Sequence, residues 1–391
     1  MLVTLSLTEI TSWGVLYYAF PVLSGRISAD TGWSATALMA AFSGGLVVSG
    51  LLGIAVGRRL DRFGPRWLMS AGSLLSAFSV VGIALAPSLA VFVLAWLVAG
   101  VAMSAVLYAP AFAALTRWFG DQRVKAVTAL TLVAGLASTV FAPLTAALEA
   151  GLGWRHTYLV LAALLAVVTV PAHLVGLRLP WPPSTTTRAH SVRPLAVIRS
   201  WPFVSLAIAL ALASCAAHAV LINLVPFLAE RGIGPGTAAV VLGVGGLGQL
   251  LGRLGYPRLF DPLGVRARTV IVLGGVAGTT ALLAVLTSLA TVVVAAVLAG
   301  MVRGVFTLLQ ATAVSDRWGV EHYAALSGIL AAPLTLTTAV APFVGAALAA
   351  LLGGYTPMLW TMVALALASA VLGLGTVPRP RAAPRGGPSP C

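Results

Sequence analysis

Twelve apolar stretches, each near the length of a membrane-crossing helix, follow one another along this chain of 391 residues. A helix needs roughly 20 apolar residues to cross a bilayer. Windows that meet this lie at 2–23, 35–57, 68–86, 89–114, 126–149, 156–177, 202–229, 236–256, 269–287, 290–313, 323–351 and 356–377, numbered here as spans 1 to 12. The stretches are too long and unbroken for barrel strands, which alternate over about ten residues. With 60% apolar and 8% charged residues, the chain could not cover a water-facing surface. It reads as an all-α membrane protein.

Net charge is +14. The basic residues sit in short loops between apolar runs, which argues against a nucleic-acid partner. With Met1 on the cytoplasmic side, the inner loops and tail hold eighteen of the 23 lysines and arginines, among them Arg58, Arg59, Arg62, Arg66, Arg117 and Arg317. The outer side keeps Arg26, Arg155 and Arg231. The positive-inside rule therefore puts both termini in the cytoplasm, with the chain in the inner membrane. Two cysteines, Cys215 and Cys391, make no disulfide framework. The first apolar run begins at Met1, has no basic segment ahead of it and holds Glu9, so it reads as a retained span rather than a cleaved signal.

The segment 180–200, rich in Pro, Ser, Thr and Arg, reads as a cytoplasmic linker. It divides the chain into a six-helix bundle at 1–179 and another at 201–377, followed by a tail at 378–391. The halves match at an offset near 200. Gly50-Leu51-Leu52-Gly53 aligns with Gln249-Leu250-Leu251-Gly252, and Arg59-Leu60-Asp61 aligns with Arg258-Leu259-Phe260-Asp261. Arg117-Trp118 matches Arg317-Trp318, Ala142-Pro143 matches Ala341-Pro342, and Pro21 answers Pro226. Two parallel repeats of this kind place a substrate site between them near the bilayer midplane.

Span 2 ends in Gly57-Arg58-Arg59-Leu60-Asp61-Arg62-Phe63-Gly64-Pro65-Arg66. This resembles the loop 2–3 signature of the major facilitator superfamily, with Pro65 where that family usually has arginine. The resemblance implies a gate built on Gly57, Asp61, Arg62, Gly64 and Arg66: the acid at a helix end pairs with arginines and helix dipoles, and glycine permits the tight turn. The bland alternative is an ordinary positive-inside loop.

Within that superfamily the chain is similar to the monocarboxylate and oxalate/formate transporter branch. The likeness rests on Tyr18-Ala19-Phe20-Pro21, Thr31-Gly32-Trp33-Ser34, Arg117-Trp118-Phe119, Gly153-Trp154-Arg155 and Gln249-Leu250-Leu251-Gly252-Arg253. It implies that Arg253 in span 8 binds a substrate carboxylate. Three departures bear on coupling and substrate. Val22 stands where eukaryotic carriers have a lysine, Gln249 stands where the branch has an acid, and residues 323–351 contain no lysine to clamp the far end of a dicarboxylate.

A charge inside the hydrocarbon costs at least ~2.5–3.5 kcal/mol, so it needs a cavity or a partner. Arg253 either holds a ligand or snorkels toward Arg258. Arg303, midway along span 10 and two turns before Gln310, is a second ligand candidate or half of an ion pair. Glu9 is a proton carrier or the counter-ion of Arg303. His218, which takes the place of Trp13 under the repeat, is a proton group or a hydrogen-bonded packing residue. Tyr17, Tyr18, Tyr108, Gln249 and Asn223 are expected cavity polars, and His173 is expected at the interface. The stripe Gly45, Ser49, Gly53 and Gly57 reads as a face for close helix packing.

The chain has no Walker-type loop, no metal-spaced cluster and no Ser-His-acid set, so neither a cofactor nor enzyme chemistry is expected. The reading is a monomeric secondary transporter of a small organic anion, a monocarboxylate, working by alternating access and coupled to protons. The alternatives are a proton-antiport exporter of drugs or metabolites, and a non-transporting receptor, which would need a signalling domain.

Overall fold

The computed structural model describes residues 1–181, 195–260, 262–319 and 323–378. Residues 182–194 of the linker, Asp261 of the repeat and residues 379–391 of the tail lie outside the described residues.

Among the described residues, ten helices are long and apolar enough to cross a membrane. The longest run, Lys125–Gly176, is two spans: Gly153 turns the chain at φ 73° and ψ 165°, a conformation only glycine adopts cheaply. Span 1 is a further crossing, divided into Leu2–Trp13, Gly14–Tyr18 and Ala19–Thr31. The twelve crossings number as read from the apolar windows. Large apolar side chains such as Leu51, Ile54, Val167 and Leu351 face outward, where a water-soluble chain would carry charge.

The offset of 200 returns in the structure. Ser88 caps span 4 by accepting from Val91 N, and Ser288 caps span 10 by accepting from Thr291 N. Gly32 and Gly232 both take left-handed backbone, as do Gly153 and Gly353. Spans 2 and 4 touch backbone to backbone at Gly45 and Gly100, and spans 8 and 10 do so at Gly245 and Gly300. The second contact continues through Gly248, Gly252 and Gly304. A methyl on Gly304 would meet the Gln249 carbonyl and lie 3.2 Å from the Arg253 amide nitrogen. The close approach therefore sets Gln249 and Arg253 beside Arg303.

Across the halves, span 2 (Ala35–Phe63) packs on span 11 (Tyr323–Leu352), and span 5 packs on span 8 (Pro235–Phe260). Thr139 Oγ1 donates to Gly243 O at 2.8 Å, and Phe343 N donates to Ser43 Oγ at 3.1 Å. The stripe read as a packing face divides. Gly45 packs, whereas Ser49 and Gly53 line the central cavity, and a methyl on Gly53 or Gly57 would meet nothing within 4 Å. The halves thus part toward the ends that carry the arginine loops and stay closed at the other end.

The three arginines at that closed end are all engaged. Arg26 pairs with Glu149 at 3.1 Å. Arg155 donates to Ala84 O and Ala86 O, and Arg231 donates to Leu283 O and Leu286 O, so each caps a helix C-terminus.

Candidate functional site: a cationic cavity between the halves

A cavity of about 740 Å³ lies between the halves, lined by spans 1, 2, 4, 5, 7, 8, 10 and 11. Three interruptions of regular helix shape it. At Gly14–Tyr18 span 1 widens into a π turn closed by Ala19 N–H to Gly14 O, and this presents Tyr17 and Tyr18 to the cavity. Span 4 breaks at Leu107, whose extended backbone (φ −90°, ψ −171°) separates Leu89–Val106 from Tyr108–Phe119. The N-terminus of the second piece, with its partial positive charge, borders the cavity at Leu107, Tyr108 and Ala109. Span 5 breaks after Ala134, at Gly135 and Leu136.

Seven of the candidate site residues singled out from the sequence meet here: Arg253, Arg303, Gln249, His218, Tyr17, Tyr18 and Tyr108 all line the cavity. No aspartate or glutamate is among the described residues that line it. Gln310, Thr307, Ser214 and Thr338 add neutral polar groups.

The two arginines differ in state. Arg253 is held across the halves. Its Nη1 donates to Thr131 O at 2.6 Å, at the broken C-terminal end of Arg123–Ala134, and its Nε donates to Thr307 Oγ1 at 3.4 Å. That carbonyl end carries partial negative charge, so the guanidinium has a partner without an acid. Tyr108 lies within hydrogen-bonding reach of it. Among the described residues Arg303 forms no ion pair, and its buried Nε has no hydrogen-bond partner. Tyr17, Tyr18 and His218 are within its electrostatic reach.

His218 donates from Nδ1 to Ser214 O at 2.8 Å, and Ser214 Oγ meets Thr338 Oγ1 at 2.7 Å. In the neutral ring that leaves Nε2 as the acceptor. Trp13, its counterpart in span 1, also lines the cavity, with ring centroids 4.9 Å from Tyr108 and 5.2 Å from Tyr17.

Glu9 sits one layer back. It is fully buried and does not line the cavity, and neither carboxylate oxygen has a geometrically good hydrogen bond. The Trp13 indole, which lines the cavity, lies beside it. In this conformation Glu9 and Arg303 form no ion pair, so the expected counter-ion contact is not made.

Two placements depart from expectation. Asn223 is fully buried outside the cavity, where its amide donates to Ala219 O and Pro342 O and ties span 7 to span 11. His173 is not interfacial. It is fully buried and bridges Ser73 Oγ (2.8 Å) and Thr8 Oγ1 (3.0 Å), linking spans 6, 3 and 1.

At the loop after span 2, Asp61 faces Arg117 at 3.6 Å, and its carbonyl accepts from Arg117 Nη1 and Trp181 Nε1. The Arg117 guanidinium stacks 4.5 Å over the Trp181 ring. Gly64 turns the chain at φ 77°, with Trp181 against it. Arg62 lies over Phe63, and Arg66 donates to Leu174 O at 2.9 Å instead of joining Asp61. In the second half Arg268 pairs with Asp316. There Arg317 donates to Ala313 O and Thr376 O, and burial lowers its guanidinium to about 10.

Comparison with known proteins fits this geometry. A model of the Major Facilitator Superfamily matches residues 4–291. The chain belongs to the major facilitator superfamily and is a multi-pass membrane transporter. It is 27% identical to monocarboxylate transporter 13 of Rattus norvegicus over 346 residues, covering 83% of this chain and 77% of that one. It is 29% identical to monocarboxylate transporter 11 of Homo sapiens over 242 residues, covering 60% and 50%. Its fold is that of a bacterial homologue of the human lysosomal transporter Spinster, solved inward-facing and occupied, with a TM-score of 0.70 at 15% identity over 96% of this chain and 93% of that one.

Proposed function

We propose that this transporter carries a small organic anion, a monocarboxylate, by alternating access with proton symport across the inner membrane, both termini being cytoplasmic. One observation carries the reading: the described residues that line the central cavity include two arginines and no aspartate or glutamate. Two arginines in a partly desolvated site are stabilised by an anion, and each can offer a carboxylate two parallel hydrogen bonds. Arg303, which among the described residues forms no ion pair and whose Nε has no hydrogen-bond partner, is the primary anchor. Arg253 and Gln249 approach from the neighbouring span, with Tyr108 within hydrogen-bonding reach of Arg253 and Tyr17 within electrostatic reach of Arg303. Glu9, with His218, handles the proton. The similarity to monocarboxylate transporters supports the same substrate class. An exporter of cationic drugs would find no carboxylate among the described lining residues to receive its cargo.

Uptake of labelled monocarboxylates into proteoliposomes, with and without a pH gradient, tests this. Accumulation should follow an inward proton gradient. Uptake of uncharged amides at the same rate as their acids would sink the anion reading.

The gate is proposed at Gly57, Asp61, Arg62, Gly64 and Arg66, with Arg117 as the acid's partner. The Asp61 side chain is 69% exposed, so its pair adds little stability. Asp61→Asn should therefore leave folding and insertion intact while lowering turnover on the order of tenfold, a typical coupling between conformational states. Transport at the wild-type rate by folded Asp61→Asn would remove the gating role.

A further inference from the structure

The cavity's cationic and aromatic groups come from different halves and meet where Tyr108 lies within hydrogen-bonding reach of Arg253. The arginines, His218 and Gln249 come from spans 7, 8 and 10, whereas Trp13, Tyr17, Tyr18 and Tyr108 form a wall from spans 1 and 4. The wall is continuous, with centroids 4.9 Å apart for Trp13–Tyr108, 5.2 Å for Trp13–Tyr17 and 5.1 Å for Tyr17–Tyr18. Phe112 stacks behind Tyr108 at 4.9 Å and backs the wall from outside the cavity lining.

We infer that the preferred substrate is an aryl monocarboxylate without an amino group, its carboxylate at the arginines and its ring on the Trp13–Tyr108 wall. This rests on the anion reading above and narrows it. Size supports it: about 740 Å³ falls among pockets that bury drug-sized ligands, roughly 300–1,000 Å³, and a two-carbon acid would leave most of it to water. Chemistry supports it too. An aromatic ring against this wall gains offset or edge contacts beyond simple burial. An ammonium group, by contrast, would meet two arginines and no acid among the described lining residues.

Equilibrium binding to the full chain in detergent, with phenylacetate, acetate, phenylacetamide and phenylalanine as probes, decides it. Phenylacetate should bind about tenfold or more tighter than acetate, the effect of burying a ring. Phenylalanine and phenylacetamide should each bind about tenfold or more weaker than phenylacetate, since one brings an unpaired cation and the other lacks the charge. Trp13→Leu should narrow the gap between phenylacetate and acetate, and Trp13→Phe should keep it. If Trp13→Leu does not fold, Tyr108→Leu makes the same comparison, and the four wild-type affinities decide without either. Equal binding of phenylacetate and acetate, both above the amide, would overturn the aryl inference and leave the anion reading standing. The amide matching phenylacetate, or no binding of either acid, would overturn both. Phenylalanine matching phenylacetate would overturn the exclusion of amines.

Discussion

Arg303→Ala should nearly eliminate substrate binding, with a larger loss than Arg253→Ala. The difference follows from what each guanidinium already has. Arg253 donates to the carbonyl end of a broken helix in the opposite half, so holding substrate through it means exchanging one acceptor for another. Among the described residues Arg303 forms no ion pair and its Nε has no acceptor, so an arriving anion offsets the desolvation of its charge. Losing a charge-assisted, two-bond contact should cost on the order of 2–4 kcal/mol, or ~30- to 1000-fold in affinity. Arg253→Ala should weaken binding toward the lower end of that range. It should also loosen the contact between spans 5 and 8, because it removes the bond from span 8 to the Thr131 carbonyl. Arg303→Lys should retain part of the affinity, keeping the charge but not the fork. The measurement is affinity for a carboxylate and for its uncharged amide in wild type and in each variant. If Arg303→Ala discriminates acid from amide as well as wild type does, Arg303 is not the anchor. If Arg253→Ala alone loses that discrimination, the role passes to Arg253.

The fold was legible because hydrophobic length is a one-dimensional property. Twelve windows, arginines clustered at alternate loops and matches 200 residues apart are all visible without knowing which way any side chain points. The Gly45–Gly100 and Gly245–Gly300 contacts show what that repeat encodes, namely two backbone approaches that only glycine permits. The site was half legible. An arginine in the middle of an apolar window announces itself, and both such arginines reached the cavity. Their partners did not announce themselves. The acceptor for Arg253 is a main-chain carbonyl 122 residues away, on the last turn before a helix break at Gly135, and a main-chain acceptor leaves no mark in an apolar run.

Rotation about the helix axis was the other gap. Asn223 and Tyr17 are both polar residues in spans related by the repeat. The π turn carries Tyr17 into the cavity, while Asn223 faces Ala219 and Pro342. His173 looked interfacial from its depth alone, because the partners that bury it, Ser73 and Thr8, lie in two other spans. Trp13 was visible only as the counterpart of His218. One turn after a buried acid, it lies beside that acid and lines the cavity.

Glu9→Gln should abolish substrate accumulation driven by a pH gradient while sparing exchange of substrate for substrate. Importing a monovalent anion against ~100 mV, inside negative, costs about 2.3 kcal/mol, and a co-transported proton removes that cost. The carrier of the proton must be a group that reaches both sides and is not already committed to a cation. Glu9 is a buried carboxyl at the centre of span 1 that, among the described residues, forms no ion pair and has the Trp13 indole beside it, so none of the described cations competes with a proton for it. It lies one helical turn before the π turn at Gly14–Tyr18. Rewinding that turn into regular helix would rotate the preceding residues relative to Tyr17 and Tyr18, the kind of local change that rocking of the halves demands. Glutamine keeps the size and hydrogen-bonding shape of the protonated acid but cannot release a proton. The variant should therefore fold, bind and exchange, and fail only at concentrating substrate. The measurement is paired: counterflow of labelled substrate in proteoliposomes at equal pH, and net accumulation after an acid jump outside with the membrane potential clamped. If Glu9→Gln still concentrates substrate after the acid jump, Glu9 carries no coupling proton, and His218, with its Nε2 free to accept, becomes the group to replace next.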